Sequence, residues 1–150
     1  MATGLVLSGL MYTILSEMKE GIESLTAAGK VEGRQVNRRT LLALYKECVT
    51  LETTFTSTAY LSEASLESHM THINTHISRF KAISQSLGNV EKLAILQVNR
   101  LELSGAISTI ESTHQKVSTE DSLDIYKARF SELQNFFQSL ENVLEQIIPY

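Results

Sequence analysis

The stretch Glu67-Ser-His-Met-Thr-His-Ile-Asn-Thr-His-Ile-Ser-Arg-Phe80 holds three of the four histidines of the chain, His69, His72 and His76. Two imidazoles at i and i+4 on a helix, here His72 and His76, can grip one zinc, nickel or copper ion. The whole span from His69 to His76 rises about 10 Å, too long for three rings to reach one ion. On a helical wheel the three rings form a stripe beside the apolar seam, and Glu63 and Glu67 fall on another side, about 120° or more from His69. The metal reading therefore rests on His72 and His76, without a third ligand in view.

The fourth histidine closes Glu111-Ser-Thr-His114, one Glu-x-x-His element where a di-iron bundle needs two such elements and two further inward Glu residues. If the third and fourth helices form a hairpin, His114 faces residues near 63 to 65, about 8 Å along the axis from His69. Its place in its own helix's seam favours a core histidine with a local hydrogen bond. His76-Ile-Ser-Arg79-Phe80 resembles, over five residues, the His-x-x-Lys-small pattern of histidine phosphotransfer domains, with Phe80 standing where that pattern wants glycine. That resemblance implies an exposed His76 able to accept a phosphoryl group.

Other chemistry finds little support. Gly29-Lys30-Val31 lacks the Ser/Thr, the glycine spacing and the preceding strand of a phosphate loop, and no Gly-x-Ser-x-Gly elbow occurs. The lone Cys48 lies on an apolar helical face, where a thiolate is disfavoured, and it excludes an internal disulfide framework. No cofactor motif is present. The expectation is a protein that is not an enzyme.

The elements that must carry these residues follow from composition and period. The 150 residues are 43% apolar and 20% charged, with seven Gly and one proline, Pro149, which favours a single all-α domain over 1–150. Met11, Ile14, Met18 and Leu25 repeat at 3.6-residue spacing, as do Leu41, Leu44, Cys48, Leu51 and Phe55. Leu66, Met70, Ile73, Ile77 and Phe80 continue the pattern. Leu96, Leu103, Ile107 and Ile110 do so less cleanly, with a polar seam around Asn99 and Arg100. The last run, Tyr126, Phe130, Leu133, Phe137, Leu140, Leu144 and Ile147, alternates four and three without a gap.

These patterns predict an antiparallel up-and-down bundle of four to five long helices, about 5–28, 34–58, 62–87, 89–117 and 119–148. Ser62 and Ser118-Thr-Glu-Asp121 are the expected N-caps, Gly88 the stop of the third helix, and Thr53–Thr58 a stretch that weakens the second. An extended coiled coil shares the same periods.

Two surface features suggest binding. Residues 1–16 carry no charge, so the first helix, through Leu5, Val6, Leu10 and Tyr12, is expected to be buried centrally or docked on a partner, most simply a second copy. The basic group Lys30, Arg34, Arg38 and Arg39 opens the second helix, where arginines oppose the macrodipole. It suggests an anionic partner or pairing with acids of another helix. A net charge of −4 without interleaved aromatics excludes nucleic acid as the favoured partner.

No basic n-region or 18-residue apolar run marks a signal peptide or span, so a cytoplasmic location is the default. Membrane-surface binding is disfavoured by the lack of Lys or Arg in the first helix. The expected function is a non-catalytic binding or assembly module, with metal or small-ligand binding by the His69, His72 and His76 stripe as the alternative.

Overall fold

A computed structural model describes residues 4–30, 32–33, 35–117 and 123–148. Five helices are formed: α1 (Gly4–Thr26), α2 (Arg38–Ser57), α3 (Glu63–Ser86), α4 (Asn89–Val117) and α5 (Leu123–Ile147). No strand occurs among the described residues. The apolar repeats read from the sequence are the buried faces: Met11, Ile14, Met18, Leu25, Leu41, Leu44, Cys48, Leu51, Leu66, Met70, Ile73 and Ile77 are each fully buried.

Local chemistry sets the helix ends. α2 starts at Arg38, four residues later than the expected 34, because Asn37 is extended (φ −80°, ψ 99°) and its side chain accepts the Thr40 N–H at 3.2 Å. Arg34 lies outside the described residues. At the other end of α2 the hydroxyls of Thr50, Thr54, Thr56 and Ser57 each donate to the carbonyl four residues back, and the Thr-rich stretch is helical to Ser57. A 3₁₀ turn, Thr58–Tyr60, then leads to α3.

Ser62 occupies the N-cap position of α3 but makes no side-chain bond to the helix backbone. Gly88 is not the left-handed stop that the sequence suggested. Among the described residues only Gly33 has positive φ, and a Cβ on Gly88 would lie 2.9 Å from a carboxylate oxygen of Glu91, so the glycine makes room for that side chain. The expected cap at Ser118–Asp121 lies outside the described residues.

The helices close a ring in the order α1, α3, α2, α5, α4, and α4 returns to α1. Their directions alternate along the chain, as an up-and-down bundle requires, yet α1 and α3 pack side by side and parallel. Ser78 Oγ donates to Glu17, Lys81 Nζ stands 3.2 Å from Glu20, and Gly21 lies against Phe80 and Lys81. α3 and α4, joined only through Leu87 and Gly88, pack little against each other because α1 lies between them. The expected α3–α4 hairpin is therefore replaced. Met11, Ile14, Leu15, Met18, Ile22 and Leu25 of α1 are fully buried in one continuous stripe roughly 100° wide, and α1 packs on both α3 and α4.

Five phenylalanines hold the centre. Phe55, on α2, lies 5.2 Å from Phe130 and 5.8 Å from Phe137, both on α5, centroid to centroid. Phe137 meets Phe80 of α3 and Phe136 edge-on, each at 5.2 Å. Such pairs add about 0.5–1.5 kcal/mol each beyond area burial. α4 is the irregular member. Asn99 leaves helical geometry (φ −141°, ψ 25°), is 2% exposed, and has no partner for either amide atom among the described residues.

Candidate functional site

The histidine stripe lies where α3 packs antiparallel on α2, and its three rings have three different fates. His69 Nε2 is 2.7 Å from the Thr54 carbonyl oxygen, so the ring donates to an acceptor in the last turn of α2. Burial lowers its pKa, partly offset by that bond. His76 Nδ1 is 2.9 Å from Glu47 Oε2 of α2, with the two side chains only 14% and 12% exposed. Arg79 Nη1 stands 3.9 Å from the other Glu47 oxygen. His72 is exposed, and its ring meets that of His76 edge-on with centroids 4.6 Å apart. The structure thus brings His72 and His76 together and takes His69 out of the set.

Glu47 was missed in the sequence, where only acids of α3 itself were weighed against the histidines. A signal existed. Glu47 and His76 lie equally far on either side of a hairpin midpoint between residues 61 and 62, as do Thr54 and His69. His114 was assigned to the wrong neighbour: its ring stacks on Tyr12 of α1 (centroids 4.5 Å, 27° between planes) and its Nε2 lies 3.5 Å from Ser16 Oγ. No group of three or more His, Cys, Asp or Glu side chains suited to a metal is present among the described residues. His76, which the phosphotransfer reading requires to be accessible, holds its Nδ1 against Glu47 and has its side chain 14% exposed.

In α1 the segment expected to meet a partner divides. Leu10 is half-buried against the core. Tyr12 is 54% exposed despite its stack on His114, and Gly9 and Thr13 beside it are exposed. Among the described residues nothing lies within 4 Å of where a Cβ on Gly9 would be. Leu5 and Val6 belong to the backbone of α1, and their side chains lie outside the described set.

The arginines open α2 as expected, and both Arg38 and Arg39 are exposed. The acid that comes to this helix start is Glu91 of α4, 6% exposed, whose Oε1 accepts the Asn37 N–H at 3.1 Å. A carboxylate at a helix N-terminus complements the dipole that the arginines oppose. Glu91 also lines a polar cleft of about 610 Å³ with Lys30, Asn37, Thr40, Ser86 and Asn89, where the starts of α2 and α4 meet.

A further cluster escaped the sequence reading because its members are far apart in the chain. On the α2–α5 face, Glu141 stands beside Glu52 with its Oε1 buried and without a partner among the described residues, Gln134 Nε2 donates to Glu52 at 3.3 Å, and Tyr45 Oη donates to Glu145 at 2.9 Å. Burial first, then the neighbouring Glu52 and the charge of Glu145, push the Glu141 carboxyl up to about 8. Beneath it, burial holds the Cys48 thiol well above its ordinary value, so this cysteine is a packing residue rather than a nucleophile.

Among the described residues no helix is long and apolar enough to cross a membrane. Comparison with protein-family models, curated proteins and solved structures found no match to the chain.

Proposed function

We propose that this bundle is a non-catalytic assembly module that binds a second copy of itself through the outer face of α1. The observation that carries the reading is the position of an uncharged helical segment at the surface. Tyr12 is 54% exposed, and it is flanked by exposed Gly9 and Thr13 in a stretch without one charged side chain. Exposed helix faces are ordinarily charged, and an aromatic ring left half in water is a common anchor of protein interfaces. Gly9 supports the same reading. Glycine inside a helix costs about 1 kcal/mol relative to alanine, and among the described residues no neighbour occupies the space its missing side chain leaves. A second backbone approaching closely would use that space.

The test is molecular mass in solution. Light scattering is expected to give a species above the 16.7 kDa monomer at high micromolar concentration. Gly9→Glu should return the protein to monomer with its helicity unchanged, because a Cβ at this position has nothing within 4 Å among the described residues. A wild-type chain that stays monomeric at that concentration would sink the proposal.

A further inference from the structure

Independently of α1, we infer that His72 and His76 chelate one late first-row transition-metal ion through their Nε2 atoms, with Glu47 as the carboxylate that orients His76. Two imidazoles bound side by side to one ion at about 2.0–2.1 Å place their centroids roughly 5 Å apart. The observed separation is 4.6 Å. A single helical turn separates the two residues, and the helix fixes their relative position.

The contact with Glu47 is what raises this pair above a chance repeat. A neutral imidazole carries one proton, and a carboxylate 2.9 Å from Nδ1 holds that proton there. The lone pair is then on Nε2, the atom left for a metal. A carboxylate on the far nitrogen of a ligating histidine is the usual outer partner of such sites, where it fixes the tautomer and raises ligand basicity. Glu47 is itself positioned, with its side chain 12% exposed and Arg79 near its second oxygen. His69 has the opposite arrangement. Its Nε2 faces the Thr54 carbonyl at 2.7 Å and must carry the proton, so that atom has no lone pair to offer.

The described residues contribute no third ligand, so the remaining coordination positions are open to water. An open site with two nitrogen donors suits copper, nickel and zinc and is poorly suited to magnesium or calcium, which take oxygen ligands.

The experiment is calorimetric titration of chelator-treated full-length protein with copper, nickel, zinc and magnesium chlorides. The expected result is one ion per chain, with affinity falling from copper to nickel to zinc and no heat from magnesium. His72→Ala should weaken zinc more than tenfold, and since His72 is exposed this variant keeps its packing. Glu47→Gln should weaken it about 10–100-fold although both ligands remain, and His69→Ala should leave it unchanged. Circular dichroism confirms that each variant is folded. Equal zinc affinity in wild type and His72→Ala would overturn the site. Wild-type affinity in a folded Glu47→Gln would overturn the role given to Glu47.

Discussion

At the scale of single residues, neighbouring acids and histidines with similar sequence surroundings do different work. Glu141 binds its proton more tightly in the folded chain, at about 8, than at its ordinary 4.5. Between those values the folded state holds more proton than the unfolded one, so stability falls as pH rises. The contribution is complete below the lower value and lost above the upper one. Comparing urea midpoints at about pH 5 and pH 9 should therefore show a decline in the wild type that is shallower in Glu141→Gln. At the higher pH the variant should be the more stable by something on the order of 1 kcal/mol, because water reaches much of the carboxylate and screens it. A wild type and variant that lose stability in parallel would remove the role assigned to Glu141. Burial of neutral His69 acts in the other direction, costing stability on acidification, and the comparison of the two proteins cancels it.

At the scale of helices, two glycines in α1 mark its two faces. A Cβ on Gly21 would stand 2.8 Å from Phe80 Cε1 and 3.3 Å from the Lys81 Cα. Phe80 is fully buried and wedged against Phe137, so it has nowhere to move. Gly21→Ala should separate α1 from α3 and cost about 1–2 kcal/mol, even after the gain in helix propensity. Gly9→Ala, with open space at the same atom, should instead stabilise the dilute chain by up to about 1 kcal/mol. Thermal melts of both variants at low concentration check the pair, and destabilisation of equal size in both would contradict this assignment of faces. Gly9 and Gly21 look alike in the sequence of one helix, and only the packing tells them apart. Much else at this scale was legible in advance. The seams of α2 and α3 are the buried residues the period singles out, because a side chain's direction around a helix follows from its number alone. The start of α2 was read less well, since Asn37, rather than a residue near 34, supplies the cap.

At the scale of the whole molecule, cohesion is uneven around the ring. α1–α3 and α2–α5 are the most extensive contacts, while α4–α5 is the least extensive of the five that close it. α4 also carries the unpaired Asn99 at its kink and leaves Leu101 87% exposed and Val98 45% exposed. Amides around this kink should exchange with deuterium by local opening, well ahead of those in the middle of α1 and α3, which should open only with global unfolding. Slowest exchange at the kink would refute that ranking. The sequence by itself determined the class, a count of four to five helices and the buried stripes of α2, α3 and most of α5, because periodicity is a property of one segment and its side chains. Only the tertiary structure decided which stripes face each other. Several apolar seams of similar length can cover one another at nearly equal gain in burial, so the choice falls to shape: Gly21 against Phe80, and α1 inserted between α3 and α4. That choice gave His114 to Tyr12, while the pairing of α2 with α3 brought Glu47 to His76.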